Sequence, residues 1–319
     1  MNISMKSVRG ITRYPWIWAV IGTILMWMLL SIFSGKFSFE SLITIATSAS
    51  FLAIVAIGQM LVITTGGGAI DLSISGVITL SAFLATGLAN GSNLRLLYVV
   101  PVVLCVGLLI GLVNALLVLY LKIPSIIATL GMNYIITTMI MLYNQNFRVF
   151  DVAPALVSIS RYRIFGIIPT MILLVIALVV LFGFILRKTR FGKSLVALGQ
   201  NSEAASLAGI NTNTMQIIAY CLSGFLAAFG GILISARVGG AFLGLGDNYQ
   251  MQTVASVVVG GTLISGGKAV PLGTFFGSLF LTLLTTTMQV AGMKIGSQQI
   301  VTGLFIIFVL FLASKQTNQ

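Results

Sequence analysis

Long uncharged apolar stretches alternate with short polar segments along almost the whole chain. Six of these stretches reach or exceed the roughly 20 residues that cross the apolar core of a bilayer: 41–70, 96–121, 164–186, 204–236, 269–293 and 295–314. Divided into one or two helices each, with the shorter stretches added, the pattern predicts spans near 16–33, 42–64, 72–90, 96–121, 124–143, 164–186, 214–236, 250–264, 270–290 and 297–314. We therefore expect an all-α polytopic membrane protein with about ten transmembrane helices, forming a single transmembrane domain over residues 1–319.

The composition and the start of the chain agree with this prediction. Of the 319 residues, 58% are hydrophobic and 7% are charged, whereas an ordinary soluble domain has about 25% charged residues. Lys6, Arg9 and Arg13 precede the apolar stretch 16–33 in the order of a secretory signal peptide. That stretch is longer than a typical signal core, and no small-x-small cleavage site follows it before Lys36. It therefore predicts a first transmembrane helix.

The net charge of +12 comes from basic residues that are scattered between the apolar stretches, which argues against nucleic-acid binding. Such residues instead orient membrane helices. An even number of spans places both termini on one side, and assigning them to the cytoplasm puts ten of the 17 basic residues inside. The densest basic segment, 187–193, follows the sixth span and also lies inside in this arrangement.

Several kinds of chemistry are excluded by missing residues. Both cysteines, Cys105 and Cys221, fall within apolar stretches, which predicts small buried packing residues, not a disulfide or thiolate metal site. The chain has no histidine, so most histidine-based metal and catalytic sites are excluded. The segment 192–194 imitates the end of a P-loop, but Arg187 replaces the required first glycine. We expect no metal, no cofactor and no enzymatic activity on this chain, and any ATP hydrolysis on a separate one.

Two glycine-rich segments, 65–73 and 265–273, share the pattern Gly-Gly-x-Ala-[Ile/Val]-x-Leu and each interrupts an apolar stretch. The similarity arises either by chance in a glycine-rich chain or from an internal repeat with a broken helix in each half. Transporters build a central pathway from such breaks. The second interpretation identifies these candidate pathway residues: Gly66, Gly67, Gly68, Asp71, Ser73, Gly266 and Gly267.

Polar and small residues inside the apolar stretches give further candidates. Asp71 borders the interior of the stretches, where an ionised carboxylate costs roughly 2.5–3.5 kcal/mol. It lies either near water or at the cap of a helix that begins at Leu72, and we expect the cap, at a break lining the pathway. The spacing of Gly107 and Gly111 predicts close helix packing. Four amides either bind a hydroxylated solute or bond between helices: Gln59, Asn114, Asn133 and Gln289.

The longest polar segment predicted inside, 195–213, belongs to a loop over about 187–213. Its centre predicts a short helix, because Asn201 or Ser202 can cap its start and Gly209 can end it. Glu203 suits the positive end of the helix dipole. The helix either lies on the membrane surface or docks into a partner. Docking would use the small residues Ala204, Ala205 and Ala208.

Three ordered segments, 67–76, 190–210 and 255–267, together resemble the ribose/xylose/arabinose permease family of bacterial ABC importers. The resemblance covers the chain from about residue 39 to residue 311. One departure lies in the first segment. The family usually reads Gly-Gly-Ile-Asp-Leu-Ser there, and this chain has Gly-Gly-Ala-Ile-Asp-Leu-Ser after an extra glycine.

The resemblance implies a multi-pass permease of the bacterial cytoplasmic (inner) membrane that imports a monosaccharide such as ribose. The implied partners are a second permease copy or paralogue, cytoplasmic ABC ATPases that bind ATP and Mg²⁺, an external sugar-binding protein and membrane lipid, with no nucleic acid. Segment 201–209 matches the family's coupling helix, which docks into the ATPase. The family also includes permeases for nucleosides and furanose-type signalling molecules. An ion-coupled carrier and a membrane enzyme are the other classes, and both would use buried carboxylates or histidines that this chain almost lacks.

Overall fold

A computed structural model describes residues 16–35, 37–146 and 151–317, excluding the side chains of residues 146, 310 and 312–317. Lys6, Arg9, Arg13 and Lys36 lie outside the described residues. The elements in chain order are α1 Trp16–Ser34, α2 Phe39–Thr64, α3 Ile74–Ala89, α4 Leu96–Leu119, α5 Ser125–Asn146, α6 Pro154–Arg161, β1 Arg163–Ile164, β2 Ile168–Pro169, α7 Thr170–Lys188, α8 Arg190–Gln200, α9 Ser202–Leu207, α10 Thr212–Val238, α11 Asp247–Val259, α12 Pro271–Val290 and α13 Ile295–Thr317.

The all-α, multi-pass architecture is confirmed. Each of the ten predicted spans overlaps one of these helices, while the count of ten membrane crossings stays a prediction. Within the described residues, seven helices are long and apolar enough to cross a membrane, namely α1, α2, α4, α5, α7, α10 and α12. Helix α3 and the apolar part of α13 are shorter, and α11 has 13 residues.

Three of the predicted boundaries that differ from the structure have a local physical cause. The third span begins at Ile74, not near residue 72, because residues 65–73 form a non-helical break. The sixth begins at Thr170, because β1 and β2, two residues each, form an antiparallel hairpin before it. Helix α11 ends at Val259, since Gly260 follows as its C-cap and Gly261 has a φ of +87°. Glycine tolerates that conformation and often ends helices.

Helices α2 and α10 form the centre of the protein. All side chains of α2 from residue 49 onwards are buried, as are most of those between residues 219 and 236 of α10. Helix α10 packs against α2, α3 and α4, while α12 packs against α1, α2 and α11. A helix that is apolar all round is typical of such a buried position.

The outer helices expose large apolar side chains, such as Leu25 of α1 and Ile127 of α5. In a membrane these surfaces face lipid. The expectation that both cysteines are buried is wrong, because Cys105 is exposed and Cys221 is half-buried. Both lie on apolar helices that expose part of their surface, so an apolar stretch did not by itself imply burial.

The predicted close packing of small residues is confirmed between α4 and α10. A Cβ atom at Gly107 would overlap the backbone of Gly224, and one at Gly111 would overlap the carbonyl oxygen of Tyr220. Backbones can approach this closely only where no side chain intervenes. Dispersion contacts and packing, not exclusion of water, hold helices together in lipid.

We expect Gly111→Ala to destabilise the folded protein by about 1–3 kcal/mol, because overpacking forces the two backbones apart. The measurement is the melting temperature of the purified protein in detergent. The matched control is Gly131→Ala on α5, where an added Cβ meets nothing within 4 Å. Since alanine favours a helix over glycine by about 1 kcal/mol, the control should melt at the same temperature or higher. Equal melting of both variants would contradict the packing argument.

Candidate functional site

The chain between α2 and α3, residues 65–73, is a non-helical break inside the protein. Gly66, Gly67 and Gly68 all have positive φ values, of +82°, +63° and +72°, a region that residues with a Cβ rarely adopt. The chain therefore turns at the end of α2, and residues 69–72 lead to α3 without regular secondary structure. Non-helical backbone at membrane depth is tolerated only where protein or water satisfies its polar groups.

Helix α5 provides hydrogen-bond partners for the backbone on one side of the break. The hydroxyl oxygen of Ser125 accepts from the Ile70 N–H at 3.2 Å. The Thr129 hydroxyl oxygen accepts from the Leu72 N–H at 2.9 Å and lies 3.2 Å from the Ile70 carbonyl oxygen. Ser125 begins α5 and Thr129 lies one turn later, so the first turns of α5 run alongside the break and bond to its backbone.

Two glutamines satisfy the other side. The side-chain amide of Gln59 on α2 is oriented so that it donates to the Asp71 carbonyl oxygen at 3.1 Å and accepts from the Asp71 N–H at 3.3 Å. Gln250 on α11 donates its Nε2–H to the Leu72 carbonyl oxygen at 3.1 Å. The backbone polar groups of residues 70–72 thus find partners on three different helices.

The Asp71 carboxylate joins the start of α3 to α10. It is 1% exposed, and its Oδ1 accepts from the Ser73 N–H at 3.0 Å and from the Ser73 hydroxyl at 2.6 Å. Its Oδ2 accepts from the Ser223 hydroxyl at 2.8 Å. Asn114 of α4 donates to the Ser73 hydroxyl oxygen at 2.8 Å. Ser223 lies about 16 Å along α10 from its first residue at 1.5 Å per residue, well inside the protein.

The expected cap at Leu72 requires correction. Helix α3 begins at Ile74 with Ser73 at the N-cap position, and Ser73 makes no capping bond with its side chain. Asp71 closes a turn on the N–H two residues later, a bond that favours a turn over a helix. Because its second oxygen is held by α10, the helix starts only after this turn.

The four candidate amides occupy three different environments. Gln59 and Asn114 are fully buried and hold the break. Asn133 is half-buried and accepts from the Ser75 hydroxyl at 3.0 Å. Gln289 is exposed and lines a large cleft. Of the four, Gln289 is therefore the one placed where a solute can reach it from that cleft.

The cleft has a volume of about 520 Å³ and lies between α2, α11, α12 and α13. That size is typical of a small-molecule site. Neutral amides and hydroxyls dominate its polar lining, together with one carboxylate. Its amide and carboxylate side chains are Asp247, Asn248, Gln252, Gln289, Gln298 and Gln299. Five of these six were not among the residues selected from the sequence, where a polar residue near a span end is ordinary.

The two glycine-rich segments identified in the sequence meet in space. The Gly267 N–H donates to the Thr64 carbonyl oxygen at 3.0 Å. Gly199, on α8, lies between them, because a Cβ atom there would overlap both Thr64 and Gly267. The next residue, Gln200, has its Nε2 3.4 Å from the Gly267 carbonyl oxygen. We call this contact of Thr64, Gly199 and Gly267 the glycine junction.

The predicted short helix is present as α9, directly after the glycine junction. Asn201 caps it by accepting from the Ala204 N–H at 2.9 Å, and Gly209 follows with a φ of +80°. Ala204 and Ala208 are exposed, whereas Ala205 is 4% exposed and faces the protein itself. The large exposed residue of α9 is Leu207, at 91%, which was not selected from the sequence.

Helix α8 was also missed, since segment 187–213 was treated as a loop with one short helix. Leu195 and Leu198 of α8 are buried, with Phe191 partly buried beside the same core. Apolar residues at this i, i+4, i+7 spacing are typical of an amphipathic helix. That periodicity was the signal that could have identified it.

Comparison with known proteins gives relatives that are all named as permease components of transport systems. A family model described as a branched-chain amino acid transport system permease component matches residues 41–312. The ribose import permease protein RbsC of Haemophilus influenzae is 32% identical over 88% of this chain and 86% of its own. The autoinducer 2 import system permease protein LsrC of Klebsiella pneumoniae is 31% identical over 90% and 83%. The galactose/methyl galactoside import permease protein MglC of Escherichia coli is 31% identical over 87% of each. No solved structure matches significantly.

The bonds of Asp71 predict different effects for two substitutions. Asp71→Leu leaves the Ser73 N–H and the Ser223 hydroxyl without their acceptor, and each such buried group costs about 1–3 kcal/mol. Asp71→Asn keeps an oxygen for Ser73 and offers an N–H to the Ser223 hydroxyl oxygen. We expect the leucine variant to lose folded protein in detergent size-exclusion chromatography and the asparagine variant to retain most of it. Wild-type yield and melting temperature in Asp71→Leu would contradict this role.

Proposed function

We propose that the substrate of this chain is a ribose-like monosaccharide. The premise is that the chain belongs to the monosaccharide permease family of bacterial ABC importers and is the membrane-spanning subunit of such an importer. The supporting observation is the amide-rich lining of the 520 Å³ cleft, in which Asp247 is the one charged side chain. Amides donate to and accept from sugar hydroxyls without requiring charge on the solute. An autoinducer-type furanose is a second candidate, because the LsrC relative is named for autoinducer 2.

The proposed topology has ten spans with both termini in the cytoplasm and an internal repeat of broken helices. The supporting contacts lie at opposite ends of the helices. Glu40 at the start of α2 pairs with Arg163 of β1 at 3.7 Å, on the proposed external side. The glycine junction joins the end of α2 to the turn before α12, on the proposed cytoplasmic side. The cleft then opens outwards, towards an external sugar-binding protein.

The proposed coupling element is α9. It is capped by Asn201, has Glu203 in its first turn, and exposes Leu207 beyond the rest of the protein. We propose that Leu207 inserts into a groove of a cytoplasmic ATPase, which carries the ATP and Mg²⁺. This chain then needs no cofactor of its own. Residues 1–319 act as one permease domain, paired with a second permease subunit.

The proposed mechanism is alternating access driven by the ATPase. Displacement of α9 moves α8, and Gly199 of α8 is packed directly against the ends of both glycine-rich segments. The three residues of the junction contact one another through backbone atoms, so no flexible side chain lies between them to absorb the motion. Movement of the turn before α12 would then shift the inner wall of the cleft, because α12 supplies Gln289 and its neighbours.

ATP-driven uptake of labelled ribose into vesicles that contain the whole importer tests the substrate proposal. Gln252→Ala and Gln299→Ala each remove one amide of the cleft. Since one hydrogen bond contributes about 0.5–1.5 kcal/mol, we expect the KM for uptake to rise several-fold in each. Gln145→Ala, an exposed amide outside the cleft, is the control. If ribose is not transported by the wild type, or the cleft variants match the control, the proposal fails.

Co-purification with the ATPase tests the coupling proposal. Leu207→Asp should leave the permease folded, because the side chain is 91% exposed, but should reduce the bound ATPase at least tenfold. Phe165→Asp is a matched control, because Phe165 is 92% exposed and lies in the hairpin at the opposite end. Its positive φ of +52° also suits aspartate. Undiminished ATPase binding by Leu207→Asp would remove α9 from the interface.

A further inference from the structure

A second cavity, of about 570 Å³, lies apart from the cleft and begins beside the glycine junction, because Lys268 of its lining directly follows Gly267. It is formed by the second half of α7, the turn before α12 with the first residues of that helix, and Trp16 at the start of α1. Trp16 stacks on Phe276 of α12 with ring centroids 6.4 Å apart. We call it the basic cavity, after the residues Arg187, Lys188 and Lys268 in its lining.

The positive charge of the basic cavity has no acidic partner in this chain. The whole sequence contains five acidic residues, all of them in its described part, and none of the five lines the cavity. Lys268 comes from a segment 80 residues after the two α7 cations. Three cations that converge from separate segments favour an anion in the space between them.

Ordinary features of membrane helices explain part of this charge. Arg187 and Lys188 lie in the last turn of α7, where the helix dipole favours a cation. Basic residues are also common beside the cytoplasmic ends of spans. The second effect also applies to Lys268, which lies three residues before α12 on the proposed cytoplasmic side. Neither effect accounts for the open space that all three residues line. The first turn of α12 also contributes to this lining, and the dipole there favours a negative charge.

The cavity continues into an apolar, outward-facing wall. Val180 and Phe184 line it one turn apart on α7 and are 66% and 60% exposed. Val180 and Phe184 are about 6 Å apart along the helix axis, at 1.5 Å per residue, and extend the wall away from the basic end of the cavity. A cationic end joined to an exposed apolar face matches a molecule with an anionic head and apolar chains. A sugar or a free nucleotide would leave the apolar wall unused.

We propose that the basic cavity binds the headgroup phosphate of an anionic phospholipid, with an acyl chain along Val180 and Phe184. Basic pockets between helices on the cytoplasmic side of a membrane recognise such headgroups. The N-terminal segment of this chain is a poor occupant. Residues 1–15 carry Lys6, Arg9 and Arg13 and no acidic residue, so they would add repulsion.

Tryptophan fluorescence in lipid vesicles measures the occupancy directly. Replacing the other two tryptophans, in Trp18→Phe and Trp27→Phe, leaves Trp16 as the one reporter in the cavity lining. Phosphatidylglycerol with brominated acyl chains quenches tryptophan when it binds nearby, and brominated phosphatidylcholine is the neutral comparison. One cation near a membrane surface contributes roughly a fivefold preference for anionic lipid. We therefore expect phosphatidylglycerol to be preferred at Trp16 by about tenfold or more.

Two charge-matched variants separate the cavity from general attraction. Arg187→Gln, Lys188→Gln and Lys268→Gln together should abolish the preference, and Lys268→Gln alone should reduce it by about fivefold. The control removes three cations that do not line the cavity: Lys122→Gln, Arg190→Gln and Lys193→Gln. The control should retain most of the preference. Its net charge equals that of the cavity variant, so overall attraction to the vesicle is matched.

The outcomes decide between lipid and other anions. A preference that the cavity variant loses and the control keeps supports the proposal. Equal quenching by the two lipids, or equal loss in both variants, overturns it. Displacement of phosphatidylglycerol by millimolar inorganic phosphate, or by the purified ATPase, also overturns it, since the cavity would then hold a soluble anion or a protein surface.

Discussion

The structure depends on one constraint: non-helical backbone inside the protein must find hydrogen-bond partners where water is scarce. Residues 70–72 meet this constraint through side chains of α2, α5 and α11. The Asp71 carboxylate then ties the break to α10. Helices α2, α4, α5, α10 and α11, which are far apart in sequence, thereby all contact residues 70–73, directly before the start of α3.

The sequence predicted the helices well because composition alone decides them. An uncharged stretch of about 20 residues has few alternatives in a bilayer, and each predicted span overlaps a helix. The boundaries were less certain where backbone geometry, not hydropathy, decides. The start of α3 depends on a bond from Asp71 to Ser223, 152 residues away. After Arg163, the hairpin before α7 consists of uncharged, mostly apolar residues that a hydropathy pattern assigns to the helix.

The candidate site was only partly predictable for a similar reason. The glycines of 65–68 and 265–267 were identifiable because paired glycines interrupt apolar stretches, but their mutual contact through Gly199 had no local signal. Gln59 and Asn114 were noted as polar residues in spans, and no pattern distinguishes an amide that holds backbone from one that meets solute. Family resemblance identified segment 201–209, and the structure adds which of its side chains is exposed.

The chemistry of the cleft limits how strongly it can hold a solute. Its glutamines and asparagine offer neutral hydrogen bonds in a site open to water, and each such bond contributes only about 1 kcal/mol after solvent exchange. Asp247 is the one side chain of this lining that could add a stronger, charge-assisted contact, and tight capture would need several such contacts or a closed aromatic lining. A lining dominated by neutral hydrogen bonds gives a bound solute only a shallow free-energy well, so the barrier to its release is low. The same side chains that hold a solute weakly would therefore also let it pass quickly.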